Sequence, residues 1–261
     1  MKTVAVIPAR MAAVRLPGKP LLRRTGKYLI EHVVERARAA RRVDDVIVAT
    51  DDERIAAAVR SFGGRAEMTR ADHASGTDRV AEVAARLDAD LVLNVQGDEP
   101  EMDPGNIDRL VALLADRPDR LIGTVACPFP ADGPRRGPGS PDDPNRVKVV
   151  LDVRGDALYF SRALVPFPRD IPAAPERPAD LDPSRWLMHL GLYGFRRAAL
   201  REIAALAPSP LEQIERLEQL RWLGAGHRIA VGVGERGSVG IDTPEDYEAF
   251  VARCEARLRN C

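Results

Sequence analysis

Cysteine is scarce in this chain of 261 residues, which contains only Cys127, Cys254 and Cys261. The three residues form no CxxC pair, and no Cys/His spacing suits a zinc ion. A small disulfide scaffold is therefore excluded, and the composition is typical of a protein of the reducing cytoplasm.

Long hydrophobic runs and an excess of one charge are also missing. No stretch approaches the ~18 apolar residues of a membrane-spanning helix, and the apolar run at residues 4–7 is too short for a signal peptide. The 39 basic and 39 acidic side chains give a formal net charge of zero. We therefore expect a cytoplasmic protein with no membrane or nucleic-acid partner, in which a local cluster of charges holds any anionic ligand.

Short apolar runs alternate with amphipathic patterns through the first 127 residues. The apolar runs predict buried strands at residues 4–7, 46–49, 91–95 and 121–126. Apolar residues with a period of about 3.6 predict helices around residues 30–37, 55–62, 80–87 and 107–114. Alternation of this kind is typical of an α/β protein with a mostly parallel sheet.

This alternation stops after residue 127. Two segments rich in proline predict extended surface loops, at residues 128–145 and 168–183. Strands without intervening helices, which favour antiparallel pairing, are predicted at residues 147–151, 157–160 and 190–195. Helices that begin after Ser209 and Thr243 close the chain. We predict one domain over residues 1–261, in which residues 128–195 are an insertion that forms a lid or a dimer surface.

A loop rich in cations follows the first predicted strand. It contains Arg10, Arg15 and Lys19. Ligands of open α/β sheets bind at the carboxyl ends of the strands, and three cations suit a polyanion. The alternative is an exposed basic loop without a ligand. The loop is not a Walker A motif, because Gly18 and Lys19 precede Pro20 and no glycine stands five residues before Gly18.

Two acidic residues occur at the ends of strands. Asp98 follows the predicted strand at residues 91–95, next to Gly97, and Asp242 stands before the last helix. Carboxylates in such places suit a hard divalent cation that also touches phosphate oxygens. The alternative for Asp242 is that it only caps the helix.

Arg79 stands at the start of the third predicted helix, where a cation is unfavourable beside the positive end of the helix dipole. An anionic ligand would relieve this. Thr77 or Asp78 is the predicted N-cap of that helix.

The second half of the chain offers three further candidates. Glu218 falls four residues from both Ile214 and Trp222, on the apolar stripe of a helix predicted from Leu211. It either reaches the rim of the protein or lines a site. His189 and Tyr193 share one face of the predicted strand, where a histidine is more often structural than catalytic.

A GxGxxG pattern occurs at residues 232–237. A dinucleotide site needs a helix that opens at the third glycine, whereas residues 238–241 intervene here. We therefore do not predict a dinucleotide-binding domain.

The motifs of this chain, taken in order, resemble those of the 3-deoxy-manno-octulosonate cytidylyltransferases, also called CMP-Kdo synthetases. They are IPAR (7–10), RLPGKPL (15–21), VATDD (48–52), TRADHASGTDR (69–79), NVQGDEP (94–100), RVKVVLD (146–152), ALYFSRA (157–163), HLGLYGFR (189–196), PSPLEQIERLEQLR (208–221) and GIDTPED (240–246). RLPGKPL alone indicates a sugar nucleotidyltransferase, and the two motifs at 189–196 and 208–221 indicate the Kdo branch.

The resemblance implies a Rossmann-like nucleotide-diphospho-sugar transferase fold, with a mostly parallel central sheet and an antiparallel insertion for dimerisation and sugar binding. It implies a homodimer of lipopolysaccharide biosynthesis that transfers CMP from CTP to the anomeric hydroxyl of Kdo and releases pyrophosphate. The hydroxyl would attack the α-phosphorus in line, without a covalent enzyme intermediate, and the cofactor would be Mg²⁺, which lowers the pKa of the nucleophile.

Site residues follow from the motif positions. The resemblance assigns nucleotide binding to Pro8, Ala9, Arg10, Arg15, Lys19, Ser75, Gly76 and Asp98. It assigns the metal to Asp98 and Asp242, and catalysis to these two residues with Arg10, Arg15 and Lys19. It assigns the acidic sugar to Arg79, Gln96, His189, Tyr193, Glu218 and Gln219.

The chain departs from the family at Ala13 and Val14, where small hydroxyl residues are usual, and at Met188, where a basic residue is common. The proline-rich segment at 130–145 is also longer than usual. Two alternatives follow. One is a cytidylyltransferase for another 3-deoxy-2-keto sugar acid, such as 8-amino-Kdo or a sialic acid, and the other is a catalytically silent nucleotide-binding protein.

Overall fold

The computed structural model describes residues 1–12, 15–169, 182–238 and 240–259. The strands are β1 Thr3–Ala9, β2 Asp45–Thr50, β3 Arg65–Met68, β4 Leu91–Asn94, β5 Ile122–Pro128, β6 Lys148–Leu151, β7 Ala157–Ser161, β8 Leu187–Arg196 and β9 Ile229–Val233. The helices are α1 Leu29–Arg38, α2 Glu53–Ser61, α3 Gly76–Ala84, α4 Pro104–Asp116, α5 Arg197–Ala204, α6 Pro210–Glu215, α7 Gln219–Gly224 and α8 Pro244–Arg259. Of the described helices, none is both long and apolar enough to cross a membrane.

The chain divides into two compact units. The first comprises Met1–Val111, Leu192–Ala204 and Ser238–Cys261. Its strands lie in the order β3, β2, β1, β4, and all neighbouring pairs among them are parallel. Residues 193–196 of β8 pair with β4 in the antiparallel direction. The predicted α/β fold with a mostly parallel sheet is confirmed.

Burial explains why most strands of the first unit were predictable. Val6 and Ile7 of β1 and Leu93 of β4 are fully buried, since helices cover both faces of the sheet. The strand β3 was not predicted, because its sequence RAEM has no apolar run, and Arg65 and Met68 at its two ends are exposed.

The loop after β1 packs against the C-terminal helix. A cluster of buried apolar residues contains Leu16, Leu29, Ile241, Tyr247 and Phe250. Burial of each large side chain stabilises the fold by about 1.5–3 kcal/mol. The cluster therefore holds the start of α8 beside the loop that contains the predicted cations.

The second unit comprises Ala112–Gly191 and Ala205–Gly237. Here β5 pairs with β9 in parallel, while β6 pairs with both β7 and the first residues of β8 in the antiparallel direction. The predicted antiparallel additions are confirmed. The strand β9, which the sequence analysis did not predict, contains the first glycine of the GxGxxG pattern.

A buried lysine fixes the end of the first proline-rich segment. The Nζ atom of Lys148 donates to the carbonyl oxygens of Asp143 (2.9 Å), Arg146 (2.6 Å) and Arg162 (2.6 Å). The side chain is fully buried, and this burial lowers the pKa of Lys148 to about 8. The three N–H donors of the buried ammonium group are thereby satisfied.

The helix predicted from Leu211 to Trp222 does not form as one piece. It ends at Glu215, Arg216 adopts a left-handed conformation with φ 54°, and a new helix begins at Gln219. The carbonyl oxygen of Glu215, which a continuing helix would use, accepts a hydrogen bond of 2.7 Å from Arg162 Nε. The expectation of a continuous helix was wrong for this reason.

Some predictions concern residues outside the described ranges, namely Ala13, Val14 and residues 170–181 of the second proline-rich segment. In the GxGxxG region, residues 234–238 and 240–243 contain no helix, and α8 begins only at Pro244. The geometry of a dinucleotide site is therefore absent from these described residues.

Candidate active site

A cavity of about 410 Å³ opens in the first unit, at the carboxyl ends of β1 and β4. The predicted site residues that line it are Pro8, Ala9, Arg10, Arg15, Lys19, Ser75, Gly76, Arg79, Gln96, Asp98 and Asp242. Parallel strands end on the same edge of a sheet, so residues distant in sequence meet there. His73 also lines the cavity but was not predicted.

The centre of the cavity contains one cation and two carboxylates. Lys19 Nζ lies 2.9 Å from Asp98 Oδ2 and 3.2 Å from Asp242 Oδ1. It also donates to the carbonyl oxygen of Ile241 at 2.7 Å. A backbone hydrogen bond of 2.9 Å from Ile241 N to Asp98 O joins the two acidic loops. The two predicted metal ligands are thus adjacent.

Local backbone geometry directs Lys19 into the cavity. Gly18 has φ 69°, a left-handed conformation that favours glycine, and a short 3₁₀ turn over Lys19–Leu21 follows with Pro20 in its first positions. Leu16, on the other side of the turn, is buried in the cluster with α8. The turn therefore has little freedom.

The two arginines of the loop are more accessible than Lys19. Arg15 Nη2 pairs with Asp242 Oδ2 at 3.0 Å, but its side chain is 64% exposed. Arg10 is exposed, and among the described residues its guanidinium has no ion-pair or hydrogen-bond partner. Both guanidinium groups can therefore receive an anionic ligand without losing a buried contact.

Ser75, and not Thr77 or Asp78, caps α3. Ser75 Oγ accepts a hydrogen bond of 3.1 Å from Asp78 N, and Asp78 Oδ2 accepts one of 3.0 Å from Ser75 N. Asp78 is thus the third residue of a capping box, and Thr77 lies buried within the helix. The predicted cap was wrong by two or three positions.

Arg79 has a partner within the protein. Its Nη1 lies 3.2 Å from Asp51 Oδ1 and donates to Thr69 Oγ1 and to the carbonyl oxygen of Arg70. Asp51 was not among the predicted site residues, although it stands directly after β2, at the same edge of the sheet. The carboxylate of Asp51 supplies the negative charge that a cation at a helix start requires.

A second carboxylate anchors the loop before α3. Glu82 Oε2 lies 2.5 Å from His73 Nε2 and accepts a hydrogen bond of 3.0 Å from Arg70 N. Burial raises the pKa of Glu82, but the hydrogen bonds from His73 and Arg70 outweigh this and leave it below its ordinary value. The loop that forms one wall of the cavity is therefore tied to α3.

Two of the remaining candidates lie on β8. His189, in the second unit, has its Nε2 atom 2.9 Å from Thr124 Oγ1 and its ring edge-on to Phe160. Burial lowers the pKa of His189 to about 3, so its imidazole is neutral at pH 7. Tyr193, in the first unit, is buried and stacks with Phe195.

Glu218 and Gln219 lie where α7 begins in the second unit. The apolar stripe that singled out Glu218 does not exist, because Ile214 is 80% exposed and Trp222 is 1% exposed. Gln219 is buried. The assignment of these two residues, and of His189 and Tyr193, to the sugar stays a prediction.

The donor set in the cavity fits a hard divalent cation. The oxygens of Asp98 and Asp242 converge on one point, which Lys19 Nζ occupies. Mg²⁺ commonly takes one or two protein carboxylates together with phosphate oxygens and water. Within the described ranges, no group of three or more His, Cys, Asp or Glu side chains forms a cluster suited to a metal. A metal at this place would need further oxygens from a ligand.

Comparison with known proteins places the chain in a family. The cytidylyltransferase family profile matches residues 4–229. A 3-deoxy-manno-octulosonate cytidylyltransferase of Syntrophotalea carbinolica is 50% identical over 261 residues, with 99% of each chain covered. One of Solibacter usitatus is 48% identical, with 95% of this chain and 92% of the relative covered. The chain belongs to the 3-deoxy-manno-octulosonate cytidylyltransferase family.

Solved structures agree with this membership. The structure titled CMP:2-keto-3-deoxy-manno-octonic acid synthetase complexed with CTP matches with a TM-score of 0.86 and 41% identity, over 98% of this chain and 100% of that chain. The protein is a nucleotidyltransferase, and the resemblance stated from its motifs is confirmed.

Proposed function

We propose that the protein transfers CMP from CTP to the anomeric hydroxyl of Kdo, with release of pyrophosphate. The observation that carries this proposal is the cavity in which Arg10, Arg15 and Lys19 surround Asp98 and Asp242. Exposed cations suit a triphosphate, and adjacent carboxylates suit its metal ion. A relative that is 50% identical over nearly its full length has Kdo in its name.

The nucleotide would lie against the ends of β1 and α3. Pro8, Ala9, Ser75 and Gly76 form a wall of small residues, and we assign the cytidine to it. The Ser75 hydroxyl oxygen accepts the capping hydrogen bond from Asp78 N. The hydroxyl can therefore still donate a hydrogen bond to the nucleotide. Arg10 and Arg15 would bind the phosphates.

The sugar acid would bind near Arg79 and Gln96, which line the same cavity. Arg79 is 4% exposed and is oriented by Asp51, so its guanidinium is fixed before the ligand arrives. We assign it to the carboxylate of the sugar, because a planar guanidinium pairs well with a carboxylate. By their motif positions, we also assign His189, Tyr193, Glu218 and Gln219 to recognition of the sugar.

Asp98 and Asp242 would hold Mg²⁺. When bound, this ion neutralises phosphate charge and lowers the pKa of a hydroxyl that contacts it. The reaction forms a bond between the anomeric oxygen and the α-phosphorus, breaks the bond between the α-phosphorus and pyrophosphate, and transfers the hydroxyl proton to water. Arg10 and Arg15 would stabilise the negative charge that develops on the leaving group.

We also propose a cytoplasmic homodimer. The free thiols of Cys127 and Cys254 suit a reducing compartment. Exposed apolar side chains of the second unit, among them Leu158 at 63% and Phe167 at 67%, suit a surface between two copies. Light scattering coupled to size-exclusion chromatography would report twice the mass of one chain, and a single-chain mass would contradict the dimer.

Pyrophosphate release tests the activity. The full-length protein is mixed with CTP, Mg²⁺ and one acceptor, and inorganic pyrophosphatase converts the product to phosphate for detection with malachite green. We expect release with Kdo and much less with 8-amino-Kdo or a sialic acid. Faster pyrophosphate release with another acceptor would show that this acceptor, and not Kdo, is the preferred substrate. No release with any acceptor would favour a silent nucleotide-binding protein.

A radiolabel tests the direct attack. After incubation with CTP labelled at the α-phosphorus, and without acceptor, the denatured protein is expected to retain no label. Label that stays on the denatured chain would show a nucleotidylated intermediate and contradict the single displacement.

A further inference from the structure

The three N–H donors of the Lys19 ammonium already have partners. A lysine ammonium carries three donors and no acceptor. Its contacts are Asp98 Oδ2 at 2.9 Å, Asp242 Oδ1 at 3.2 Å and the carbonyl oxygen of Ile241 at 2.7 Å. The side chain is 13% exposed, so water has little access to these bonds. In this arrangement no N–H of Lys19 is left for a phosphate oxygen.

The same nitrogen keeps two carboxylates together. Asp98 and Asp242 approach one point, and like charges at such a distance repel unless a cation lies between them. A divalent cation that enters between these oxygens would occupy the space of the ammonium and repel it. Lys19 and the metal therefore compete for the same two carboxylates.

The neighbouring cation does not share this role. Among the residues that the structure describes, the ion pair of Arg15 is with Asp242 Oδ2 at 3.0 Å, and its side chain is 64% exposed. Lysine combines a compact charge with a flexible stem of four carbons, so its ammonium can move several ångströms while its backbone stays in place. The 3₁₀ turn and the buried Leu16 hold that backbone.

We propose that Lys19 takes the place of the metal ion in the nucleotide-free protein and moves to the phosphates when metal and nucleotide bind together. Phosphate oxygens then accept from the Lys19 ammonium, and the oxygens of Asp98 and Asp242 become available to the metal. The metal alone binds weakly, and metal and nucleotide raise each other's affinity by the same factor. The inference rests on the proposed function for the identity of the nucleotide, but not for the competition with the metal.

Binding of Mn²⁺ without nucleotide or sugar tests the competition. Electron paramagnetic resonance measures free Mn²⁺ in the presence of the full-length wild type, Lys19→Met and, as a control, Lys27→Met. Lys27 pairs with Glu35 in the first unit, does not line the cavity and is 46% exposed. We expect Lys19→Met to bind Mn²⁺ about tenfold more tightly than the wild type. Lys27→Met is expected to match the wild type. Equal or weaker binding by Lys19→Met would overturn the proposal.

A second measurement tests the movement to the phosphates and needs no turnover. In the wild type, CTP is expected to raise the affinity for Mn²⁺ at least about tenfold, after correction for Mn²⁺ bound by CTP in solution. In Lys19→Met this coupling is expected to be at least about threefold smaller than in the wild type, because phosphate oxygens still bind Mn²⁺ but no ammonium is left to move. Coupling equal to that of the wild type would contradict the proposal. Circular dichroism verifies that the variant is folded, and Lys19→Gln replaces it if it is not.

The outcomes separate this inference from the proposed function. If pyrophosphate is not released with any acceptor but Lys19→Met binds Mn²⁺ more tightly, the activity is refuted and the competition stands. If pyrophosphate is released but the Mn²⁺ affinities are equal, the activity stands and the competition is refuted.

Discussion

At the scale of single residues, Gly97 sets how closely two loops of the cavity approach. A Cβ atom on Gly97 would lie 2.7 Å from the carbonyl oxygen of Pro8 and 3.6 Å from Cγ2 of Ile7. The first distance is shorter than any normal contact between a side chain and a backbone atom. Since Asp98 is the next residue, the absence of a side chain at position 97 brings the carboxylate within reach of Lys19.

Gly97→Ala is expected to lower both activity and stability. The methyl group must displace the backbone of β1 or of the Asp98 loop, at a cost of about 1–3 kcal/mol in the free energy of unfolding. We expect kcat/KM to fall about 10²-fold, because a displacement of about 1 Å from reactive geometry costs this much. Urea unfolding and pyrophosphate release measure the two effects.

Gly224→Ala is the control for that variant. Its Cβ would lie 3.8 Å from Ser209 Cβ, an ordinary contact, within helix α7. Alanine is favoured over glycine in helices by up to about 1 kcal/mol, so this variant should be slightly more stable. Similar losses of stability and kcat/KM in both alanine variants would contradict the close approach proposed for Gly97.

The charge of Asp98 can be tested separately from its shape. Asp98→Asn keeps the volume but removes the negative charge that a metal ion needs. We expect kcat to fall about 10²- to 10³-fold, as for other groups that stabilise charge, while CTP affinity persists through Arg10 and Arg15. Pyrophosphate release and calorimetric titration with CTP measure the two. Asp88→Asn, at an almost fully exposed position paired with Lys2, should change neither. Normal turnover of Asp98→Asn in Mg²⁺ would refute the metal assignment.

At the scale of elements, the junction of α6 and α7 depends on contacts to another strand. Glu215 accepts from Ser161 Oγ at 2.6 Å and from Arg162 N at 2.9 Å. Arg162 Nε in turn donates to the carbonyl oxygen of Glu215. These bonds to the end of β7 compensate for the helix hydrogen bonds that are lost, and Arg216 adopts φ 54° as a result.

Two substitutions at Arg216 distinguish a break from a continuous helix. A left-handed residue favours glycine over alanine by about 1 kcal/mol, whereas a residue within a helix favours alanine by a similar amount. We therefore expect Arg216→Gly to be more stable than Arg216→Ala by about 1 kcal/mol in urea unfolding. The opposite order would show that residues 210–224 form one helix in solution.

At the scale of the whole molecule, the positive and negative charges balance. The cavity differs, because basic residues outnumber acidic residues in its lining. The 39 basic and 39 acidic side chains cancel, so no long-range field draws CTP toward the protein. Attraction arises from Arg10, Arg15 and Lys19 at short range. Association with CTP should therefore weaken with added salt.

Stability should decrease between pH 7 and pH 5. Burial lowers the pKa of His189 to about 3, so this imidazole stays neutral in the folded state, and burial also lowers the pKa of His32 below its ordinary value. In the unfolded chain both bind protons below about pH 6.5, and stability present above that pH is lost as the pH falls. We expect His189 to account for about 1–2 kcal/mol of the loss by pH 5.

Urea unfolding at pH 7 and pH 5 measures this difference for the wild type and His189→Gln. The amide can still bond to Thr124 but does not titrate, so the variant should lose less stability on acidification. Carboxylates whose pKa values are lowered in the folded state, such as Glu82, also change stability with pH. Their effect falls mainly below pH 5, outside the range from pH 7 to pH 5. An identical pH dependence in both proteins would contradict the assignment to His189.

The sequence by itself determined which residues stand at the carboxyl ends of the central strands. Apolar runs identify β1, β2 and β4, because strands covered on both faces consist almost entirely of buried residues. A polar residue that directly follows such a run must lie at one edge of the sheet. Arg10 and Asp98 were found in this way, and the motif resemblance supplied Ser75, Gly76 and Gln96 for the same cavity.

Only the tertiary structure decided which of these residues pair. Lys19 meets Asp98 and Asp242 across separations of 79 and 223 residues, and Asp51 meets Arg79 through the order of the strands. Local sequence patterns indicate whether a segment is a helix or a strand and which of its faces is buried. They do not indicate which loops lie next to each other in the folded chain. The break after Glu215 has the same origin, because Arg162, which directly follows β7, donates to the carbonyl group that a continuing helix would have used.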